Sequence, residues 1–298
     1  MIHGVKAYTI KALGQKVNLE AGPLGKTMPI YRDRKRRVLG QHFLRSAGVL
    51  QKIVEVIDPR PDTLIIEIGP GRGALTFPLA EKAGKVVAIE KDAAMAARLG
   101  EKAVSRLAVL EGDILDCDFA ALRTRHGGSF PRAVLAGNLP YSISTPLLFK
   151  ILEEPAPFER CIFLVQKEVA ERITAGPGTK DYAPLSILLQ LRFSAEIRFP
   201  VHPGSFSPPP KVESALVSLE RRPAPLFGIS DERRFAEFLR GAFRQRRKTL
   251  ANNLLASGRT AAAIERACRA AEIDPRARPE QVPIAGFAAL FAAFSSPP

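Results

Sequence analysis

The sequence predicts an α/β fold in which a doubly wound sheet is followed by a small, all-helical C-terminal domain. Short apolar runs recur at intervals of 21 to 29 residues between residue 64 and residue 165. Stretches of helical length, rich in Ala, Leu and Lys, separate these runs. Strands that alternate with helices at this spacing indicate repeated βαβ units and hence a mostly parallel sheet. Beyond residue 222 the strand-like runs end and helical periodicity takes over.

The apolar runs are the predicted core strands, at residues 64–68, 86–89, 107–110, 133–136 and 162–165. Each run is too short for a helix and shows no alternation of apolar and polar residues. Such runs are typical of strands that are buried on both faces of a parallel sheet. The stretches 92–104 and 145–154 between them have the length and composition of helices.

The pattern changes after residue 180. An apolar segment at 185–191 predicts a helix, and residues 195–199 and 212–219 predict two further strands. The loop between these strands contains Pro203, Pro208, Pro209 and Pro210. Because proline is confined mainly to the edges of sheets, we expect the two strands to form an antiparallel pair at the sheet edge.

We divide the chain into three parts. Residues 1–37 form a basic N-terminal extension that we expect to be flexible, residues 38–222 the sheet domain and residues 223–298 the helical domain. The segment Arg222-Pro223-Ala224-Pro225 is typical of a linker. Helical periodicity marks residues 231–243, 248–256, 261–271 and 279–294. For the extension, an organelle transit peptide or a true start at Met28 stays open beside a disordered basic arm.

The positive charge is concentrated in two segments. The 298-residue chain has 44 Lys and Arg against 30 Asp and Glu, a formal net charge of +14. Residues 1–37 and residues 221–260 each contribute +7, whereas residues 38–220 are neutral. Basic segments of this kind favour a polyanionic partner, most simply nucleic acid, although a solvated basic surface has the same composition. The 46% of hydrophobic residues excludes a disordered chain, and no apolar run approaches the ~18 residues of a membrane span.

Cysteine and histidine usage gives the expected compartment. Cys117, Cys161 and Cys268 are far apart in the sequence, so neither a CxxC motif nor a zinc knuckle is predicted. The histidines are scattered as well, and we predict no metal site. An odd number of widely spaced cysteines fits reduced thiols, so we expect a cytoplasmic protein.

A glycine-rich loop, Glu67-Ile68-Gly69-Pro70-Gly71-Arg72-Gly73, follows the first predicted strand. Glycines directly after a buried strand let the backbone approach a ligand closely. Dinucleotide-binding sheets use the spacing GxGxxG, whereas here the spacing is GxGxG with an acid two residues ahead. This pattern is typical of S-adenosylmethionine-dependent methyltransferases and predicts a Rossmann-like methyltransferase sheet. Taken alone, an incidental glycine-rich turn has the same sequence.

Acidic residues close the next two predicted strands. Glu90 ends the second strand, where one carboxylate accepts hydrogen bonds from both hydroxyls of a ribose. Asp113 follows the third strand, in position to accept from an adenine amino group. Each acid alone could be a solvated helix cap, but both lie at strand ends where doubly wound sheets bind ligands. Together with the glycine loop they predict one cofactor crevice.

The fourth predicted strand leads into a catalytic motif, Asn138-Leu139-Pro140-Tyr141. Motifs of this type occur in methyltransferases that act on exocyclic amino groups, whose nitrogen lone pair is delocalised into the ring. Acceptors on the amino hydrogens favour a pyramidal nitrogen, and we assign them to the Asn138 side chain and the Leu139 carbonyl. Pro140 restricts the loop, and Tyr141 offers a flat face to a base that has left its stack. Without the preceding signals, this tetrapeptide would be an ordinary turn.

On these residues the chain resembles the small-subunit ribosomal RNA adenine dimethyltransferases, the KsgA family. The resemblance begins near Leu39 and extends to the C-terminal helices. Beyond the two motifs above, it rests on an opening segment, a mid-chain block, a Pro-rich loop and a basic segment. These are Leu39-Gly40-Gln41-His42-Phe43-Leu44, residues 166–182, Phe206-Ser207-Pro208-Pro209-Pro210-Lys211-Val212-Glu213-Ser214 and Phe243-Arg244-Gln245-Arg246-Arg247-Lys248-Thr249-Leu250.

The motifs and the resemblance together imply the site residues. Contacts to the cofactor, S-adenosylmethionine, are expected from Gln41, His42, Leu44, Glu67, Gly69, Gly71, Gly73, Glu90, Asp113 and Asn138. The expected catalytic residues are Asn138, Leu139, Pro140, Tyr141 and Phe206. Phe206 would be a second aromatic beside the target base, and a core Phe that anchors the loop is the alternative. His42 stands where Asn is commoner in the family, and Ser142 where many members have Asn.

The implied substrate is a pair of adjacent adenosines in the 3′-terminal hairpin of small-subunit (16S-type) ribosomal RNA. Each adenosine would receive two methyl groups on N6, as a step of ribosome biogenesis. The expected partner is this RNA within an immature small subunit, bound by a monomer without membrane contact.

Basic residues near the C-terminal helices are the predicted RNA contacts: Arg233, Arg240, Arg244, Arg246, Arg247 and Lys248. If one helix runs through them, spacings of three and four place most of them on one face. Such a stripe would follow the RNA phosphates, and a solvated helix face is the alternative.

Other functions stay open on the sequence alone. The nearest is a large-subunit ribosomal RNA adenine methyltransferase of the type that confers macrolide resistance, which shares these motifs. The mid-chain block and the basic segment favour the small-subunit type. A DNA adenine methyltransferase is disfavoured because no sequence-reading domain of adequate size is evident. A non-catalytic assembly or transcription factor is disfavoured because the cofactor and catalytic motifs are complete.

Overall fold

The computed structural model describes residues 42–102, 104–154 and 157–295, which belong to one compact unit. The predicted extension of residues 1–37 and the predicted cofactor contact Gln41 lie outside the described residues. The strands are β1 (Phe43–Leu44), β2 (Thr63–Ile68), β3 (Lys85–Glu90), β4 (Leu107–Glu111), β5 (Arg132–Asn138), β6 (Arg160–Gln166), β7 (Phe193–Val201), β8 (Phe206–Ser207) and β9 (Ser214–Arg221). The α-helices are α1 (Ala47–Ile57), α2 (Thr76–Lys82), α3 (Ala93–Gly100), α4 (Phe119–Gly127), α5 (Ser144–Glu153), α6 (Lys167–Thr174), α7 (Pro184–Arg192), α8 (Glu232–Ala242), α9 (Leu250–Ala256), α10 (Ala261–Ala270) and α11 (Ile284–Ser295).

Seven strands form one sheet in the order β4-β3-β2-β5-β6-β9-β7. The five strands from β4 to β6 are parallel, and β9 is antiparallel to both of its neighbours. The strand order reverses between β2 and β5, which pair although β3 and β4 lie between them in the chain. The predicted doubly wound sheet is confirmed, and so is the late antiparallel pair. Of that pair only β7 lies at the edge, because β9 inserts between β6 and β7.

The central strands are buried on both faces, as their continuous apolar sequences predict. Every residue of β2 is buried. Its side chains alternate between two hydrophobic clusters, with Leu64 and Ile66 on one face and Ile65 on the other. Helices therefore cover both sides of the sheet, and the carboxyl ends of the strands are left for a site.

A close approach of β2 and β5 marks the point where the strand order reverses. Ile68 and Gly137 are partners in the parallel register. A Cβ added to Gly137 would lie 2.5 Å from the carbonyl oxygen of Ile68, closer than real Cβ atoms come to any neighbour. Glycine is therefore required here, and it brings together the loops that follow the two strands.

The C-terminal helices have a hydrophobic cluster of their own. Phe235, Phe238, Phe287 and Phe291 pack in it with ring centroids 5.3–6.4 Å apart. Helix α7 lies between this cluster and the sheet, with Leu189 facing the sheet and Leu188 facing the helices. The boundary at residue 222 stays a prediction. Within the described part of the chain, no helix is long and apolar enough to cross a membrane.

A buried asparagine holds the loop that follows α8. Helix α8 stops at Ala242, and residues 243–249, here called the basic loop, are not helical. Asn253 is 1% exposed; its Oδ1 accepts from the Gln245 N–H at 2.7 Å, and its Nδ2 donates to the Gln245 and Thr249 carbonyls at 3.1 Å. These bonds satisfy backbone groups that a continuing helix would pair within itself.

The chain therefore breaks between the predicted helical segments 231–243 and 248–256, and the condition for a single stripe of basic residues is not met. Arg233 and Arg240 lie on α8, seven residues apart and so on one face. Arg244, Arg246, Arg247 and Lys248 lie in the basic loop, and all four are exposed.

We predict that Gly137→Ala lowers the free energy of unfolding by about 1–3 kcal/mol, the usual cost of overpacking a core. The added methyl group would meet a backbone oxygen rather than a flexible side chain, so β2 and β5 would have to separate. Denaturant unfolding of the purified variant measures the change.

Gly48→Ala is the matched control, because a Cβ at Gly48 in α1 has no neighbour within 4 Å. Alanine is favoured over glycine within a helix, so this variant should be no less stable than the wild type. Equal losses in the two variants, or no loss in Gly137→Ala, would contradict the close approach.

Candidate active site

A crevice opens at the carboxyl ends of the central strands, beside the point where the strand order reverses. Doubly wound sheets bind their ligands at such points. The crevice holds two cavities whose walls share Phe43, Gly69 and Asn138. Of the predicted site residues, His42, Gly69, Gly71, Glu90, Asp113, Asn138, Leu139, Pro140 and Tyr141 line the first cavity, and Leu44, Glu67, Gly69 and Asn138 line the second. Gly73 and Phe206 line neither.

The glycine loop makes a turn that L side chains rarely allow. Gly69, Gly71 and Gly73 have φ angles of +62°, +57° and +83°. The turn directs the Gly71 N–H to Oε2 of Glu90, at 3.0 Å. Gly73 has a packing role instead, since a Cβ there would lie 2.3 Å from the Phe77 ring.

Glu90 is fixed in place by two backbone groups. It is 3% exposed; Oε2 accepts from Gly71, and Oε1 accepts from the Asp92 N–H at 2.9 Å. Each carboxylate oxygen has two lone pairs, so both can accept one more hydrogen bond. This buried carboxylate is therefore prepared for a pair of neighbouring hydroxyl groups.

Asp113 forms an ion pair at the wall of the first cavity. Its Oδ2 accepts from Lys91 Nζ at 2.6 Å and its Oδ1 from the Leu115 N–H at 3.0 Å. Partial burial alone would raise the pKa of Asp113, but the hydrogen bonds from Lys91 and Leu115 outweigh it and lower the pKa. Asp113 is therefore a carboxylate at neutral pH, and a donor group of a ligand must share it with Lys91.

The catalytic loop continues β5 and is held at both ends. The Leu139 N–H donates to the Leu164 carbonyl, and the Ile143 N–H donates to the Pro140 carbonyl, both at 3.0 Å. Asn138 Nδ2 donates to the His42 carbonyl at 2.9 Å. The Tyr141 hydroxyl lies 3.2 Å from Ser214 Oγ, and burial raises the pKa of this half-buried phenol more than the hydrogen bond lowers it. The tyrosine is therefore a neutral, oriented ring at the mouth of the cavity.

Phe206 lies in the core rather than at the cavity wall. It is 3% exposed and packs in the hydrophobic cluster that contains Ile53 and Leu216. Through the β1–β8 pairing it sits opposite Leu44, while Ser207 sits opposite Phe43. The structure therefore shows Phe206 anchoring the Pro-rich loop, and its contact with a target base stays a prediction.

Comparison with known proteins decides the family. A family model described as ribosomal RNA adenine dimethylase matches residues 32–295. The chain belongs to the ribosomal RNA adenine dimethylase family. Ribosomal RNA small subunit methyltransferase A of Xanthomonas oryzae pv. oryzae (strain PXO99A) is 44% identical over 257 residues, which cover 86% of this chain and 94% of the relative. The protein of the same name from Geobacter metallireducens is 41% identical over 261 residues, with the same coverage.

Two solved structures resemble this dimethylase over 85% of its chain. A dimethyladenosine transferase from Plasmodium falciparum has a TM-score of 0.68 and 27% identity, with 97% of that chain covered. The 23S rRNA methyltransferase ErmE has a TM-score of 0.67 and 27% identity, with 100% of that chain covered. The predicted Rossmann-like methyltransferase fold is confirmed, and the dimethylase is an enzyme of methyl transfer to ribosomal RNA.

Glu67 is a buried carboxyl group at the wall of the second cavity of the dimethylase. Among the described residues, its Oε2 has no hydrogen-bond partner. Burial, opposed in part by the nearby Thr76 hydroxyl and reinforced by the negative charge of Glu90, raises the pKa of Glu67 to about 8. An ammonium group in the second cavity would supply both the missing donor and the opposite charge. The crevice thus fits a cofactor that combines an amino acid, a ribose and an adenine, as S-adenosylmethionine does.

Two polar residues of the site were missed by sequence reasoning. Lys91 directly follows Glu90 at a strand end, so its position in the dimethylase crevice was available from the sequence. The ion pair that Lys91 forms with Asp113, 22 residues further along the chain, could not be predicted from the sequence. Ser214 supports the Tyr141 hydroxyl from the start of β9, and no local pattern distinguishes it from other serines.

We predict that S-adenosylmethionine binding displaces a proton from Glu67 at neutral pH. Below its pKa of about 8 the free carboxyl group holds a proton, whereas an ammonium neighbour favours the carboxylate. The affinity should therefore rise as the pH is raised from about 6 to about 7, below the range in which α-amino groups lose their own proton. Calorimetry in buffers of different ionisation enthalpy measures the released proton.

Glu67→Gln is the control, since it keeps the shape and cannot release a proton. It should bind the cofactor more weakly at pH 7 and lose the pH dependence between about 6 and 7. The same proton release from this variant as from the wild type would show that another group titrates.

Proposed function

We propose that this dimethylase transfers methyl groups from S-adenosylmethionine to N6 of two adjacent adenosines in the 3′-terminal hairpin of small-subunit ribosomal RNA. The main support is the first cavity, which is lined by the predicted cofactor residues Glu90 and Asp113 and also by Asn138 and Tyr141 of the catalytic loop. The curated relatives at 41–44% identity are named for the small subunit. ErmE, named for 23S rRNA, is 27% identical, which favours the small-subunit substrate.

The residues that would hold the cofactor are distributed over three strand ends. Glu90 would accept from the ribose hydroxyls, Asp113 from the adenine amino group, and Glu67 would face the ammonium group. The left-handed turn at Gly69 and Gly71 leaves the room for close approach. When bound, S-adenosylmethionine supplies a methyl group activated by the sulfonium charge.

The catalytic loop would position the adenosine amine. Asn138 Oδ1 and the Leu139 carbonyl accept from the two N6 hydrogens, which draws the lone pair out of the ring system. Tyr141 stacks on the base, a contact worth ~1–3 kcal/mol per base. Because the methylated nitrogen loses its proton readily, orientation rather than a strong base supplies most of the rate.

The second transfer places a further demand on the loop. After one methyl group has been added, N6 retains a single hydrogen, so only one of the two acceptors can be used. The loop must then hold a bulkier amine with fewer hydrogen bonds. A cavity wall that is rigid around Asn138 meets this demand better than a mobile one.

The basic loop follows α8, at the end of this helix that is remote from the Arg192–Glu232 ion pair. Helix α8 runs antiparallel to α7: Arg192 pairs with Glu232 at one end, and the Tyr182 and Phe243 rings lie 6.3 Å apart at the other. Helix α7 leads directly into β7. The first residue of β7 lies opposite Arg221, at the end of the sheet where the parallel strands begin and thus away from the crevice. The basic loop, at the other end of α8 from the start of β7, would bind the RNA phosphates.

We extend the proposal to the setting of the reaction. The substrate would be ribosomal RNA within an immature small subunit, and the enzyme would act as a cytoplasmic monomer during ribosome biogenesis. Residues 38–222 would carry out the chemistry, and residues 223–298 would bind RNA. The neutral charge of residues 38–220 and the positive charge of residues 221–260 support this division.

The test is transfer of labelled methyl groups to small subunits that lack the mark, followed by mapping of the label. We expect N6,N6-dimethyladenosine at two adjacent positions of the 3′-terminal hairpin. Label on cytosine or guanine, or no label at all, would contradict the proposal. Label on large-subunit RNA would instead support the large-subunit alternative.

Asn138→Ala should lower methyl transfer by at least about 100-fold, the scale of losing a preorganised group at the reacting centre. The fold should survive, since Asn138 ends β5 and the pairing of β5 uses backbone groups. Rates and thermal unfolding measure the two effects. Asn252→Ala, on the exposed face of α9, is the matched control and should retain wild-type transfer.

Replacing Arg247 and Lys248 together with Ala should weaken RNA binding without altering the transfer rate at saturating RNA. Both side chains are exposed, and the slope of log Kd against log salt concentration should fall by about 1 for each phosphate that is no longer neutralised. Titrations at several salt concentrations measure the slope.

The paired control is Arg266→Ala with Arg269→Ala, which removes the same charge from the exposed side of α10. A slope that changes as much in this control would mean that net charge, rather than the basic loop, determines RNA affinity.

A further inference from the structure

His42 makes three contacts with two separate loops of the crevice. Its backbone carbonyl accepts from Asn138 Nδ2 at 2.9 Å. Its ring Nδ1 lies 2.8 Å from the Pro208 carbonyl oxygen, and its ring centroid lies 5.4 Å from that of Tyr141. One residue of the opening segment is thus bound to the catalytic loop and to the Pro-rich loop, which lie 96 and 166 residues further along the chain.

The contact with the His42 carbonyl decides which way the Asn138 amide faces. A carbonyl oxygen only accepts, so the amide must present Nδ2 to it and Oδ1 to the other side. Among the described residues, no donor meets Asn138 Oδ1. The oxygen atom that an amino group requires is therefore left available for the cavity.

The His42 ring holds the carbonyl that makes this contact. Because the Pro208 oxygen has no hydrogen to give, Nδ1 carries the proton and donates. The Tyr141 ring, tilted by 35° against the imidazole, is a second contact of the His42 ring. His42 precedes β1, whose pairing with β8 begins at Phe43 and Ser207 and also restrains the peptide unit that links His42 to Phe43.

We propose that His42 is a positioning residue for methyl transfer. Its ring, bonded to Pro208 and in contact with Tyr141, fixes its own carbonyl together with the β1–β8 pairing, and the carbonyl turns Asn138 Oδ1 toward the adenosine N6. This inference rests on the proposed function and assigns His42 a role in place of the cofactor contact implied by the family resemblance. The second methylation depends on it most, because a single N6 hydrogen then remains for hydrogen bonding.

The deciding variant is His42→Leu, which keeps an apolar body of similar reach and removes the Nδ1 donor. We expect kcat to fall about tenfold, the order expected when an orienting hydrogen bond is removed. The KM for RNA and the Kd for S-adenosylmethionine should stay within about twofold of the wild type. The ratio of monomethyl to dimethyl product should rise, because the second transfer suffers more than the first.

His42→Asn should recover part of kcat and of the dimethyl product, because its side-chain amide can also donate to the Pro208 carbonyl. His126→Leu, the same replacement on the remote helix α4, should behave as the wild type in every assay. A product ratio unchanged in His42→Leu would show a general structural effect and overturn the proposal. So would a rise in the cofactor Kd that accounts for the lower rate, since His42 would then be a cofactor contact.

A second measurement follows the solvent exchange of the Asn138 side-chain amide hydrogens in the absence of substrate. The chain has four asparagines, so selective ¹⁵N-asparagine labelling gives few side-chain amide signals, and Asn138→Ala assigns the relevant one. In His42→Leu its Nδ2 hydrogens should exchange with solvent about tenfold faster, since their acceptor is no longer held. Unchanged exchange would overturn the proposal even if the variant has become inactive for another reason. A wild-type enzyme that methylates no adenosine would instead refute the proposed function and leave this amide result standing.

Discussion

The parallel pairing of β2 with β5 is the contact on which the rest of the structure depends. At this point the first strand of the large sheet lies against one that comes three strands later in the chain, and Gly137 lets their backbones meet at Ile68. The chain leaves the two strands in opposite directions, as the glycine loop on one side and the catalytic loop on the other. The space between them is the crevice, so the geometry of the chemistry is set by a contact between two apolar strands.

Around that crevice, buried polar groups are held by the backbone more than by one another. Glu90 is fixed by two N–H groups of neighbouring loops, and Asn138 by the carbonyl of His42. Glu67 is the contrast, a carboxyl group whose Oε2 has no partner among the described residues and whose pKa is raised to about 8. A site that is fixed in most places and unsatisfied in one is prepared for a ligand that completes it.

The sequence was sufficient for the sheet and for most of the crevice, for a definite physical reason. Strands buried on both faces appear as apolar runs, and residues at their carboxyl ends must converge, so Glu90, Asp113 and Asn138 could be placed together. Two features were not predictable because each depends on distant parts of the chain. Phe206 is buried through pairing with the opening segment, and Lys91 bridges to Asp113.

The insertion of β9 between β6 and β7 also bears on the order in which the enzyme becomes competent. Tyr141 is supported by Ser214 at the start of β9, and His42 by Pro208 just before it. A chain emerging from the ribosome presents the cofactor and catalytic motifs long before either support exists. Contacts across 73 and 166 residues close only when the Pro-rich loop has been made. The crevice is therefore completed late in synthesis, and a nascent chain that stops short of residue 214 contains the motifs without the site.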